Sequence, residues 1–224
     1  MENSDEPAFN APPATMYLVA SLIVAHILLT VTSVDTVQWV YEALAFNVGQ
    51  LTLVLENPSW LGVSAVFLTL NSHLFLHHDF MHLLINAFML LAFGTMVERT
   101  YGIVRYLTMF LICGWVGALS EYIVSASDPA TMLYGASGAV FGMMGVTTWI
   151  LLPKLGMRKV IAFASVMMGL NLVIGLTPLG SMLAGEGATI SWAAHLGGFL
   201  CGALLPLVLP RRHIWKSQSD HAAV

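Results

Sequence analysis

Six apolar stretches, each near the ~20 residues that cross ~30 Å of hydrocarbon, take up most of this chain. They run over residues 16–34, 80–97, 104–125, 137–152, 159–178 and 190–209. In lipid, backbone N–H and C=O groups must be satisfied within the spanning structure, so separate stretches of this kind fold as helices. The sequence therefore predicts an all-α, polytopic membrane protein built as a bundle of six transmembrane helices. Of 224 residues only 9% are charged and 58% are hydrophobic, with mean hydropathy +0.81; a soluble domain carries about 25% charge. A net charge of −4 gives no basic footprint for nucleic acid. Cys113 and Cys201 both lie inside apolar stretches, so they read as small buried residues rather than a disulfide framework.

All eight Lys and Arg fall in three places. Arg99 and Arg105 join spans two and three, Lys154, Arg158 and Lys159 join spans four and five, and Arg211, Arg212 and Lys216 follow span six. The positive-inside rule makes those three segments cytoplasmic. Six spans then return the acidic tail of residues 1–15 to the same side, and 210–224 forms a basic cytoplasmic tail behind a single domain over 16–209. The tail has no positive n-region, so the first span reads as retained rather than as a cleaved signal. The first outer loop is about 45 residues long, Asp35 to Asp79. Val37, Trp39, Val40, Tyr41, Leu44 and Phe46 make it too apolar for a disordered connector, and the expectation is a segment lying in the membrane interface.

Within this frame a few polar residues stand where polarity is costly. Ser137, in Tyr134-Gly135-Ala136-Ser137-Gly138, opens the short fourth span and so sits near its outer end. One reading makes it a nucleophile. The other makes it the edge of a small-residue packing stripe of Gly138, Gly142 and Gly145, and both hold together. His195 stands in the sixth span, sharing a face with Gly198 and Gly202 at i, i+3 and i+7. Docking that face on the stripe of span four sets an imidazole beside a hydroxyl, the parts of a base and its nucleophile. The alternative is a structural histidine bonded to a carbonyl. On span two, His82 and Asn86 lie one turn apart on one face. They are either donors for a developing oxyanion or a polar seam between helices. His73, His77, His78 and His82 also raise a metal site through their i, i+4 pairs. Asp79 is the lone carboxylate nearby and the His-Glu-x-x-His pattern is absent, so the expectation is no metal site and no cofactor.

These motifs occur together and in order: His82-x-x-x-Asn86, Gly135-x-Ser137-Gly138 and His195-x-x-Gly198, on spans two, four and six. In this the chain closely resembles the rhomboid intramembrane serine proteases, best over His73–Leu205. His77 five residues before His82, the run Glu98-Arg99-Thr100-Tyr101-Gly102, and Phe141 one turn after Ser137 match the family too. The resemblance implies a minimal, six-span bacterial-type member in which Ser137 is the nucleophile and His195 the base. His82, Asn86 and the Ser137 backbone N–H would form the oxyanion hole, with Gly135, Gly138, Phe141, His77 and Gly198 in support. It implies cleavage of single-spanning membrane proteins near the outer face of the bilayer. It also implies a place in the bacterial inner (plasma) membrane, and a cap over the site from the loop holding Gly180, Gly185 and Gly187. Many rhomboids carry a Trp-Arg pair before the histidines. Here that stretch reads Phe67-Leu68-Thr69-Leu70, and Trp60 has no Arg beside it. The alternatives are an inactive rhomboid-like protein that binds membrane clients, or a membrane protein whose histidine cluster binds metal. Inactive relatives lack the serine or the histidine, and this chain keeps both. Nothing in the sequence fixes an oligomeric state.

Overall fold

The fold is seen in a computed structural model that describes residues 11–178 and 190–210. The first ten residues, the cap glycines Gly180, Gly185 and Gly187, and the basic residues Arg211, Arg212 and Lys216 lie outside the described residues.

Helix α1 spans Pro13–Thr30, starting three residues earlier and stopping four earlier than the apolar run alone suggests. Pro13 sets its first turn, since a helix start needs no N–H there. Ser33 then caps the next helix through the Thr36 N–H, which ends α1 before residue 34. The long loop after span one is mostly helical: α2 (Val34–Leu44), α3 (Val48–Glu56) and α4 (Trp60–Ser72), each with a Ser or Asn N-cap. Trp39, Leu53, Trp60 and Leu61 on these helices are exposed. Where the family's Trp-Arg pair is missing, Phe67 packs on Trp115 at 6.1 Å, and the Trp115 indole N–H donates to Asn71 Oδ1 at 3.3 Å.

Span two is α5 (Phe80–Met89), a π-helical turn over Leu90–Gly94, and α6 (Thr95–Tyr101). Then follow α7 (Ile103–Ser125), α8 (Ser137–Leu155), α9 (Met157–Leu176) and α10 (Trp192–Val208). Five helices among the described residues are long and apolar enough to cross a membrane: α1, the α5–α6 unit, α7, α8 and α9. The expected sixth span is the 17-residue, apolar α10. Among the described residues a single two-residue ribbon interrupts the helical pattern: β1 (Phe46–Asn47) pairs antiparallel with β2 (Met132–Leu133). It fastens this long loop to the segment that leads into Ser137.

Two turns repeat one construction. Gly102 at φ +79° ends α6 and starts α7, and Gly156 at φ +76° ends α8 and starts α9. No atom crowds a Cβ at either place, so glycine is needed for the backbone angle alone. Both turns carry the basic residues that mark one membrane side. At the same turn Glu98 accepts bonds from the Ala14 N–H (3.0 Å), the Thr15 N–H (2.7 Å) and the Thr15 hydroxyl (2.8 Å). A buried carboxylate thus satisfies the free N–H groups at the start of α1.

The centre of the bundle is α7, α8 and α10. Lipid tails are as apolar as leucine, so helices there associate by close packing rather than hydrophobic exclusion. A Cβ on Gly198 would collide with the Gly138 carbonyl oxygen and lie 2.8 Å from its carbon. One turn on, a Cβ on Gly202 would collide with the Gly142 carbonyl oxygen. Gly145 sits as closely against Phe199 and Ala203. The glycine faces read from the sequence therefore meet, backbone against backbone. Met143, Met144, Val146, Met109 and Phe110 fill the surrounding core. Helix α9 stands outside this core, with Val160 and Asn171 as its buried residues and Ile161, Val166, Leu170 and Val173 exposed.

Candidate active site

The approach to Ser137 is set by Gly135. Its φ of +123° belongs to glycine, and its N–H donates to the His73 carbonyl at 2.8 Å. A Cβ there would lie 2.7 Å from His82 Cε1, so the His82 imidazole rests directly on this glycine. Helix α8 then begins at Ser137 with Ala136 as N-cap, which has no side chain to cap with. The first backbone bond of the helix runs from the Val140 N–H to the Ala136 carbonyl at 2.9 Å. The N–H groups of the residues before it therefore have no intrahelical acceptor and favour negative charge.

His195 projects from the first turn of α10 toward this helix start. Its Nε2 lies 2.8 Å from Ser137 Oγ. Its ring stacks on Phe141 at 4.3 Å with 5° between planes. Its Nδ1 lies 2.7 Å from Asn171 Oδ1, on α9. His195 and Asn171 are buried, and Ser137 is half-buried. A hydroxyl held at hydrogen-bond distance from an imidazole is placed to lose its proton as it attacks.

His82 and Asn86 both come from α5. Asp79 caps that helix through the His82 N–H at 2.8 Å, so the cap also fixes where His82 stands. Burial pushes the Asp79 carboxyl up, but the bonds from the His82 N–H and the His78 ring outweigh it and hold Asp79 below the usual range. Asn86 is buried and donates to the His82 carbonyl at 2.9 Å. The His82 ring meets His77 edge-on at 5.0 Å. His77 is buried, and neither ring nitrogen has a partner among the described residues. Burial first, then the His82 ring, lowers its pKa to about 3, so it is neutral packing for His82. The His77 carbonyl accepts from the Tyr41 hydroxyl at 2.8 Å and from His26 Nδ1 at 3.2 Å.

The histidine cluster does not act as a unit. His73 lies on a 3₁₀ turn and His77 on extended chain after it, so their i, i+4 spacing does not put them on one helix face. The His73 ring bonds the Thr69 carbonyl at 2.8 Å, and exposed His78 pairs with Asp79 at 3.3 Å. Among the described residues no group of three or more His, Cys, Asp or Glu is disposed to hold a metal ion. Sequence reasoning passed over Asn171, His26 and Tyr41. The available signal was an amide or imidazole inside an otherwise apolar stretch, for Asn171 in span five and His26 in span one.

The model of the Rhomboid domain matches residues 64–212, about two thirds of the chain. RHOMBOID-like protein 5 of Arabidopsis thaliana is 28% identical over 165 residues, 70% of this chain and 46% of that protein. Rhomboid protease GluP of Bacillus subtilis is 28% identical over 211 residues, 90% of this chain and 36% of that protein. RHOMBOID-like protein 1 of Arabidopsis thaliana is 31% identical over 172 residues, 71% of this chain and 40% of that protein. The chain thus spans less than half the length of these three relatives. The matched region contains α5 through α10, the helices that carry Ser137, His195, His82 and Asn86, and this multi-pass integral membrane protein belongs to the rhomboid family.

Proposed function

We propose that this protein is an intramembrane serine endopeptidase acting through a Ser137–His195 dyad. The observation that carries the reading is the 2.8 Å approach of Ser137 Oγ to His195 Nε2, between residues 58 positions apart on separate helices. His195 takes the Ser137 proton as Oγ attacks a substrate peptide carbonyl. The oxyanion that forms is met by the Ser137 backbone N–H, His82 and Asn86. His195 then gives its proton to the leaving amine, and water hydrolyses the acyl-enzyme by the same steps in reverse order. Gly135 and His77 hold His82 in place, Phe141 holds the His195 ring, and Gly138 with Gly198 bring the two helices into contact.

The substrates are single-spanning membrane proteins, cut near the outer end of their transmembrane segment. The site lies at the end of α8 opposite the basic turn at Gly156, which the charge pattern puts in the cytoplasm. Both termini are then cytoplasmic, the membrane is a bacterial inner membrane, and α2–α4 rest in the outer interface with Trp39 and Trp60 as anchors. Purified wild type and Ser137→Ala are compared on a model single-span substrate, with mapping of a serine-directed phosphonate adduct. Wild type is expected to cleave and to carry the adduct on Ser137. Equal cleavage by Ser137→Ala refutes the reading.

A further inference from the structure

The bond from His195 Nδ1 to Asn171 has chemical content beyond packing. Asn171 is 5% exposed on α9, the helix that otherwise stands outside the core. Its Nδ2 lies 3.0 Å from the Trp192 carbonyl oxygen and its Oδ1 lies 2.7 Å from His195 Nδ1. The opposite amide orientation would set Oδ1 against the Trp192 carbonyl, two acceptors facing each other, so the carbonyl end of the amide faces the imidazole. An oxygen acceptor at Nδ1 requires the proton on that nitrogen. The neutral ring then carries its lone pair on Nε2, the atom 2.8 Å from Ser137 Oγ. Gly175, one turn along α9, lets the helix close onto the Trp192 side chain, where a Cβ would collide. The close packing of α9 on the start of α10 thereby holds the amide at Nδ1.

We propose that Asn171 is a positioning residue, which fixes the tautomer and ring direction of His195 so that Nε2 is the base toward Ser137. The proposal rests on the serine-protease reading above. The same acceptor also favours the imidazolium that forms when Ser137 is deprotonated, because that species keeps its Nδ1–H. The other groups along this stretch of α10 are Ser137 and Phe141 on α8 and Gly117 and Ser120 on α7, none of them charged. The titratable groups on elements packed near His195 are His82 on α5 and the buried Glu121 on α7, one turn along from Gly117, which abuts Ala194.

The test compares wild type, Asn171→Leu and Asn171→Asp on one transmembrane substrate, with kcat and KM measured across pH. Asn171→Leu is expected to lose about 10- to 100-fold in kcat with little change in KM, the rate equivalent of one hydrogen bond to a charged ring. Its limb for loss of the imidazolium proton moves to lower pH. Asn171→Asp restores the acceptor at Nδ1 but sets its second oxygen against the Trp192 carbonyl, so it recovers kcat only in part relative to Asn171→Leu, and its added negative charge moves that limb to higher pH. His82 and Glu121 are common to all three proteins, so differences between limbs belong to position 171. A purely structural stitch to Trp192 would not move the limb in opposite directions. Nitrogen-15 spectra of the wild-type imidazoles, with His195 assigned by its loss in His195→Ala, give a second readout that needs no variant at 171. A neutral His195 protonated on Nδ1 is expected. A wild-type kcat in Asn171→Leu, limbs that stay in place, or a proton on Nε2 overturns the positioning role. Wild type that neither cleaves nor takes the phosphonate overturns the serine-protease reading, and this role with it.

Discussion

Gly198→Ala adds one methyl group a turn away from His195 and touches no polar residue of the site. The added Cβ would lie 2.8 Å from the Gly138 carbonyl carbon and closer still to its oxygen. Carbon atoms pack best at about 3.5–4.0 Å. The two helices must therefore part by roughly 0.7 Å or more at this crossing, the difference between 3.5 and 2.8. Ser137 precedes Gly138 and His195 lies three residues before Gly198, so the same parting opens the 2.8 Å dyad contact to about 3.5 Å or beyond. Overpacking of this kind costs about 1–3 kcal/mol of stability. The loss in rate is comparable in free energy, because a misplacement near 1 Å costs about 10²-fold, or about 2.7 kcal/mol. The assay is cleavage of a single-span substrate at fixed enzyme, with thermal unfolding in the same detergent. Gly169→Ala is the control, since nothing lies within 4 Å of a Cβ there. Gly198→Ala is expected to stay folded and lose about two orders of magnitude in kcat. Wild-type cleavage by Gly198→Ala would falsify the claim that backbone contact between α8 and α10 sets the dyad distance.

Glu98→Ala leaves the start of α1 without its acceptors. The loss of even one bond to a charged group predicts destabilisation by at least about 1.5–3 kcal/mol, read by thermal unfolding. Asp79→Ala removes the cap of α5, at about 0.5–2 kcal/mol. A carboxyl held low in the fold stabilises above its unfolded pKa near ~3.9, and that contribution fades as pH falls through the folded value. The stability gap between wild type and Asp79→Ala is therefore expected at pH 7 and should close well below pH 4; a gap unchanged by acid would contradict it. Gly or Pro in the outer third of a substrate's span should raise cleavage over Leu at the same position, because a stable helix keeps its carbonyls bonded. Equal rates for the two sets would mean that helix opening does not limit turnover.

The spans were readable because lipid leaves an apolar stretch few folded forms. The meeting of α8 and α10 was readable because Gly138, Gly142, Gly198 and Gly202 mark matched small-residue faces on two helices. His82 and Asn86 were readable as a pair because four residues make one turn. What escaped the sequence depends on partners distant in the chain. Asn171 reads as one amide in an apolar run, and only the packing of α9 on Trp192 brings it to His195, 24 residues away. His26 and Tyr41 converge on the His77 carbonyl from α1 and α2, and a main-chain acceptor leaves no trace in side-chain patterning. The ribbon of Phe46–Asn47 with Met132–Leu133 is two residues long, too short for a period of two to register. The π-turn at Leu90–Gly94 lies inside a run that is apolar throughout.

The division of labour among the helices follows from the solvent. Lipid supplies no hydrophobic drive to press α8 against α10, and every unpaired polar atom in it is costly. The position of the serine relative to the histidine is therefore set by backbone contact between glycines, whose reach does not vary with side-chain rotamer. The orientation of the histidine is set by hydrogen bonds and ring contacts drawn from other elements: Asn171 from α9 and Phe141 from α8. Neither kind of constraint suffices alone. Glycine contacts leave an imidazole free to turn, and an amide acceptor cannot bring two helices together. The protein combines them within one turn of Ser137, at the end of the bundle where β2, in the segment leading into Ser137, pairs with β1 between α2 and α3.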